Sequence, residues 1–227
     1  MIRLVLFDLD NTLLDFEKMK VESIRAAISA MQKKGLKIEA KKAFDEIFKI
    51  YKNKGWEYHF VLDKFLKSNL KKMDYNELAA GINAYREKRE KTLKLYPNVK
   101  KTLGRLKEKN IKMAIITDAP KLQAYIRLTK LGIDKYFDKV IEGKRQKETG
   151  RPLKKALKKL KLKPDEILCV GDSVERDLKP AKRFGMTACL AEYGASKREK
   201  RLTKGYLGFK LKGISALPGL INILNRS

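Results

Sequence analysis

The chain has 227 residues, with 54 Lys or Arg against 27 Asp or Glu, a formal charge of +27, and 43% apolar residues. That length suits one sizeable core carrying an insertion, or two small domains, and no apolar run approaches the roughly 18 residues of a membrane-spanning helix. The first strand begins too early to follow a signal peptide, so the expectation is a globular cytoplasmic protein with no membrane association and no pattern that sets an oligomeric state.

Leu4-Val5-Leu6-Phe7 is a short apolar run of the kind that forms a fully buried strand in a parallel sheet. It runs into Asp8-Leu9-Asp10-Asn11-Thr12. Side chains two apart on an extended strand point the same way, so Asp8 and Asp10 can converge at the carboxyl end of the strand, where open α/β sheets bind their ligands. Neither carboxylate tolerates burial without a counterion. The plain alternative is a turn with an Asx cap.

From Asp15 to about Leu95 the pattern is helical throughout. Val21, Ile24, Ile28 and Met31 form one apolar stripe; Ala40, Ala43, Phe44, Ile47, Phe48 and Tyr51 form a second. Leu62, Phe65 and Leu66, then Leu78, Ile82 and Tyr85, supply a third and a fourth. Four such helices with short connections bury their stripes best as a bundle. Tyr96-Pro97-Asn98 then ends the segment, since proline suits a first helical turn and stops what precedes it.

Downstream, helix and strand alternate. Helices are expected over 99–109, 122–131 and 154–160 and around Leu178, Ala181 and Phe184; strands over 111–118, 139–141, 167–172 and 187–190. An edge strand at 209–211 and a closing helix at 216–224 complete the pattern. Such alternation predicts an α/β fold, a mainly parallel sheet with helices on both faces. Three of its strand ends then carry Asp8, Thr117 with Asp118, and Asp172. Lys147 stands 25 positions before Asp172 and Asp177 five after it.

These four segments, in this order, resemble the motifs of the haloacid dehalogenase-like hydrolase superfamily: an Asp-x-Asp-x-Thr strand end, a Ser/Thr strand end, a Lys, and a Gly-Asp-x-x-x-Asp type loop. The last corresponds to Gly171-Asp172-Ser173-Val174-Glu175-Arg176-Asp177. The resemblance runs from Ile2 to about Gly194 and implies a Rossmann-like core, 1–14 with 96–227, and a small helical cap, 15–95. One departure lies at the third motif, where relatives commonly carry Lys-Pro-x-Pro and this chain reads Lys147-Glu148-Thr149-Gly150-Arg151-Pro152. Lys144 and Arg151 therefore stand beside Lys147 as candidates. Lys147 is preferred because Leu153, Ala156, Leu157 and Leu160 begin the expected helix directly after it.

The resemblance implies a phosphatase of small phosphate monoesters that works through an aspartyl phosphate on Asp8. Asp10 would be the general acid and then the base, while Thr117 and Lys147 would hold the phosphoryl oxygens. Mg²⁺, a hard cation that prefers oxygen ligands, would sit on Asp8, the Asp10 carbonyl and Asp172, with Asp177 in support. Asp118, Trp56 and Arg86 are candidate substrate contacts. Asp10 separates this chain from 2-haloacid dehalogenases, which dispense with the acid; a phosphomutase would use the same residues. The overall pattern looks closest to archaeal-type phosphatases of glyceraldehyde phosphate, with phosphoglycolate, sugar phosphates and nucleoside monophosphates also allowed.

The excess of positive charge is uneven: 144–163 holds ten basic residues and one acidic one. Leu153, Ala156, Leu157 and Leu160 place those lysines on the outward face of an amphipathic helix. A field of this sign attracts a phosphorylated metabolite. The competing reading is a nucleic-acid-associated protein or a polynucleotide-end phosphatase, whose binding would weaken steeply with salt. Cys169 and Cys189 fall in buried strands and read as packed thiols, and the lone His59 reads as structural.

Overall fold

A computed structural model of the chain describes all residues except Arg145, 204–207 and Ser227, and leaves the side chains of Lys155, Lys159 and Leu160 undescribed. The chain divides into two compact units, one made of Met1–Asp15 with Leu95–Ser227 and the other of Phe16–Lys94.

In the first unit, strand β1 (Leu4–Phe7) lies at the centre of a six-stranded sheet. The helices of the second unit, α1 (Phe16–Lys33), α2 (Ala40–Lys54), α3 (Val61–Asn69) and α4 (Tyr75–Thr92), come next in the chain. The first unit then resumes with α5 (Val99–Glu108), β2 (Lys112–Thr117), α6 (Lys121–Leu131), β3 (Lys139–Glu142) and α7 (Arg151–Leu160). It closes with β4 (Ile167–Gly171), α8 (Lys179–Arg183), β5 (Thr187–Ala191), α9 (Lys197–Leu202), β6 (Phe209–Leu211) and α10 (Leu217–Leu224).

The spatial order is β3-β2-β1-β4-β5-β6, and every pairing is parallel. Leu4, Leu6, Ala114, Ile116, Cys169 and Leu190 line one face and pack with Leu153 and Ala156 of α7, Leu178, and Ala181 of α8. The alternating set, Val5, Phe7, Met113, Ile115, Leu168 and Val170, points to the opposite face and is buried as well. Burial on both faces explains why these strands read as continuous apolar runs. Cys169 and Cys189 are buried and unbonded to each other.

The helical unit has its own core, in which Ile24, Ile28 and Met31 of α1 meet Ile47 and Tyr51 of α2, Phe65 and Leu66 of α3, and Leu78 of α4. Helix α1 also buries Lys20. Its ammonium lies over the Tyr51 ring, 4.4 Å from the centroid, and donates to the Tyr85 hydroxyl at 2.8 Å, so the charge rests on aromatic faces.

The expected stripes are recovered with local shifts: Val21 is half-buried, and in α2 burial falls on Ala43, Ile47 and Tyr51 while Ala40 is exposed. In α7, Leu153 and Ala156 are buried and Leu157 half-buried, whereas Leu160 lies outside the described side chains. Among the described residues no helix is long and apolar enough to cross a membrane.

Candidate active site

The register of the sheet assembles the site. Phe7 pairs with Ile115 on one side and with Val170 on the other. Asp8 is therefore one step past the last paired residue of the central strand, and Thr117 and Asp172 stand two steps past the matching positions of its neighbours. The Asp8 amide donates to the Val170 carbonyl at 2.8 Å, holding the backbone in register as the strand ends.

Asp8 is 5% exposed, and both of its carboxylate oxygens are engaged. Lys147 Nζ lies 2.6 Å from Oδ1, and the Thr12 hydroxyl donates to Oδ2 at 3.1 Å. Thr12 reaches back because Asn11 adopts a left-handed conformation, φ 60°, which tightens the turn. Lys147 itself sits in a single 3₁₀ turn, Lys147–Thr149, between β3 and α7. The loop entering that turn is tied to the site by Gly143, whose amide donates to the Thr117 carbonyl at 2.6 Å. Of the three basic candidates, only Lys147 meets Asp8; Lys144 and Arg151 are exposed.

Lys147 also approaches Asp177 Oδ1 at 2.5 Å. Asp177 belongs to a π-helical turn, Val174–Leu178, and its other oxygen accepts from the Ser173 amide at 3.1 Å. Gly171 makes room for it: a Cβ there would lie 2.4 Å from the Asp177 Cγ. Asp172, 5% exposed, has an Oδ1 that is buried without a hydrogen bond, and Arg176 stands 3.9 Å away from it.

Oxygens of Asp8, Asp172 and Asp177 all lie within 4.8 Å of one another. Burial is the main force that raises the Asp8 carboxyl to about 6; Lys147 opposes it, while Asp177 and Asp10 push in the same direction. Asp172 is raised well above the usual range by burial first and then by the Asp8 and Asp177 charges. Burial disfavours the Lys147 ammonium, but Asp177 and Asp8 outweigh it and hold the amine above the ordinary lysine range.

Three buried carboxylates against one fully buried amine leave an excess of negative charge, and one oxygen of Asp172 has no hydrogen-bond partner. An all-oxygen set of this kind fits a hard divalent cation. Asp8 and Asp177 share Lys147, and Asp172 Oδ1 carries no hydrogen bond, so the oxygens of these three acids are the ones that could hold such a cation.

Thr117 is buried, and its hydroxyl accepts from the Ala119 amide at 3.1 Å. Asp118 follows it, with Oδ1 buried without a hydrogen bond and Oδ2 3.6 Å from Arg176. Burial is the chief cause that raises its carboxyl, against the Lys147 and Arg176 charges.

The Asp10 carboxylate points to Arg127 of α6, whose Nη1 donates to Oδ1 at 2.9 Å and to Oδ2 at 2.7 Å. Asp10 is not one of the three clustered acids. Arg127 is a residue that the sequence reading missed. The signal for it is modest: Ala124, Arg127 and Leu128 share the buried stripe of α6, so a charged residue stands where helical spacing calls for an apolar one. Trp56 and Arg86 are both exposed on the helical unit, where the Trp56 ring stacks on Tyr51 at 5.7 Å and meets Phe48 edge-on at 5.5 Å. His59 is exposed and outside this constellation.

Residues 5–191 match the family model described as haloacid dehalogenase-like hydrolase. The chain belongs to this family. Among its relatives is a protein described as glyceraldehyde 3-phosphate phosphatase from Methanocaldococcus jannaschii, 36% identical over 190 residues, which span 82% of this chain and 83% of that one. A protein of the same description from Pyrococcus furiosus is 31% identical over 231 residues, 99% of this chain and 94% of that one. A solved haloacid dehalogenase-like phosphatase from Thermococcus onnurineus shares the fold with a TM-score of 0.69 at 24% identity, covering 97% of this chain and 98% of that one. The haloacid dehalogenase-like chain described here is thus an enzyme of the hydrolase class, on the phosphatase side of the family.

Proposed function

We propose that this hydrolase removes the phosphoryl group from a small phosphate monoester through an aspartyl phosphate on Asp8, with Mg²⁺ as its cation. The observation that carries this reading is the buried cluster of Asp8, Asp172 and Asp177 braced by Lys147 at the ends of adjacent parallel strands. Relatives named as glyceraldehyde 3-phosphate phosphatases support a triose phosphate as the substrate.

In the first step an oxygen of Asp8 attacks phosphorus and the bond to the ester oxygen breaks, its electron pair leaving with that oxygen. Asp10, two residues along the same strand exit, gives the departing oxygen a proton. In the second step Asp10 takes a proton from water; the water oxygen attacks the same phosphorus, the bond to Asp8 breaks, and the carboxylate is restored. Thr117 and Lys147 hold the phosphoryl oxygens, and Lys147 also keeps the Asp8 oxygen in line. Asp8, the Asp10 carbonyl and Asp172, with Asp177 in support, would hold a divalent cation, whose charge would offset the repulsion between an anionic nucleophile and an anionic substrate. Asp118 is a further candidate contact, and Trp56 and Arg86 are the residues of the helical unit that we propose for substrate selection.

The test is phosphate release from a panel of triose, sugar, glycolate and nucleoside phosphates and one aryl phosphate, with and without Mg²⁺. Turnover that needs the cation and is absent in Asp8→Asn is the expected result; turnover that survives in Asp8→Asn overturns the assignment of the nucleophile.

A further inference from the structure

From the buried contact between α6 and the loop after β1, we propose that Arg127 is a positioning residue that holds the Asp10 carboxyl group in the orientation needed for proton transfer. The inference rests on the reading of Asp10 as the general acid and base.

Arg127 is 5% exposed, so its guanidinium has been taken out of water along with its stem. Burying an ion pair is a poor route to stability, because desolvation offsets most of the attraction. The position of the pair in the fold supplies a better reason. Asp10 leaves the central strand in a loop that starts beyond the last ladder hydrogen bond, and only a local bridge with Leu14 continues the backbone pairing there. The strand ladder therefore does not fix the Asp10 carboxylate, which lies past its end. Arg127 Nη1 reaches both of its oxygens, at 2.9 and 2.7 Å, and so sets the direction in which the carboxylate points. Its own helix starts four residues after Thr117, at the end of the strand that pairs with β1. The arginine therefore references Asp10 to the same sheet edge that carries Asp8 and Thr117. Whichever oxygen of Asp10 bears the transferred proton, the other stays within reach of the same nitrogen.

Acid catalysis matters in proportion to how poor the leaving group is, and this makes the role measurable. An alkyl alkoxide needs its proton as the bond to phosphorus breaks, whereas a nitrophenolate leaves without one. In a reaction with a covalent intermediate, kcat/KM reports the steps up to formation of that intermediate, so it isolates the acid step. We would compare the native chain with Arg127→Met, Arg127→Lys and Asp10→Asn on p-nitrophenyl phosphate and on glycerol phosphate. For Arg127→Met, kcat/KM on glycerol phosphate is expected to fall by about tenfold or more, bounded by the roughly 10²–10⁴-fold that a general acid contributes. On p-nitrophenyl phosphate kcat/KM should stay within about threefold, while kcat and KM fall together because the second step still needs Asp10 as a base. Arg127→Lys, which keeps the buried charge, should lie between the native chain and Arg127→Met.

Equal losses on both esters for the two Arg127 variants would make Arg127 merely structural and overturn the proposal. No loss on either would overturn it as well. Asp10→Asn separates the two levels of the argument. If it discriminates between the esters and the Arg127 variants do not, only the role of Arg127 falls; if Asp10→Asn does not discriminate, the acid reading of Asp10 falls first.

Discussion

Lys147 Nζ lies 2.6 Å from Asp8 Oδ1 and 2.5 Å from Asp177 Oδ1, bridging the end of the central strand and the π-helical turn after β4. The amine is the fully buried positive charge among three buried acids. Replacing it by Met keeps the volume and leaves those acids uncompensated. Lys147→Met is expected to cost about 3–5 kcal/mol of stability and to reduce phosphate release by about a hundredfold or more. Lys147→Arg keeps the charge but brings a planar fork to a point-charge site, so it should recover most of the stability and little of the activity. Urea unfolding followed in parallel with phosphate release checks both statements.

Stability and metal binding should respond to pH in opposite senses. Asp8 is raised from 3.8 to about 6, chiefly by burial. Between these values the folded chain holds a proton that the unfolded chain has already released. Metal-free stability contributed by this group therefore declines as pH rises through that window, and no further above it. Asp172, raised by burial and then by the Asp8 charge, adds to the same trend. A cation needs these groups deprotonated, so the rise in melting temperature on adding Mg²⁺ should be large at pH 8 and fade as pH falls through about 6. Melting curves in chelator and in Mg²⁺ across this range would show the crossing trends; a Mg²⁺ effect independent of pH would argue against these ligands.

Gly194 fixes the turn that carries Asp10. A Cβ at this position would lie within bonding distance of the Asn11 carbonyl oxygen, 1.7 Å, and 3.2 Å from the Tyr96 hydroxyl. The adjacent Tyr193 hydroxyl donates to the Thr12 carbonyl at 2.7 Å, so the two loops are joined at successive residues. Gly194→Ala has to displace main chain on both sides. It should destabilise the protein by about 1–3 kcal/mol and lower turnover through the displaced Asp10, whereas Gly104→Ala, where nothing lies within 4 Å of the added methyl, should not destabilise. Thermal unfolding of the two variants side by side tests the contrast.

A formal charge of +27 on 227 residues means that the folded chain repels itself. Screening weakens such repulsion over about 8–10 Å at physiological salt. Raising NaCl from low to moderate concentration is expected to raise the melting temperature and, by weakening the field that attracts phosphate esters, to raise KM for an anionic substrate with kcat little changed. A melting temperature that falls with salt would mean that attractive pairs such as Lys179–Glu175 and Lys91–Glu87 outweigh the net charge.

The parts legible from residue order are those governed by local chemistry. Leu4–Phe7, residues 113–116 and Ile167–Gly171 form unbroken runs without a polar side chain because both sheet faces are covered, and that pattern is written directly in the chain. A carboxylate or hydroxyl directly after such a run must stand at a strand end, which puts Asp8, Thr117 and Asp172 at one edge of a parallel sheet. Other relationships depend on partners distant in the chain and on chain geometry that spacing does not encode. Lys147 rather than Lys144 or Arg151 meets Asp8 because a single 3₁₀ turn aims it inward. Asp177 reaches Lys147 because a π-helical turn, kept open by Gly171, swings its carboxylate over the strand.

Helix α6 shows the limit most plainly. Leu122, Tyr125 and Ile126 are 70%, 41% and 46% exposed, while Arg127 is buried. Hydrophobic periodicity ranks side chains by their affinity for a generic apolar core. It cannot register a carboxylate 117 residues away that makes burial of a guanidinium tolerable. That pairing exists only once β1 and β2 lie side by side, and with it the orientation of Asp10.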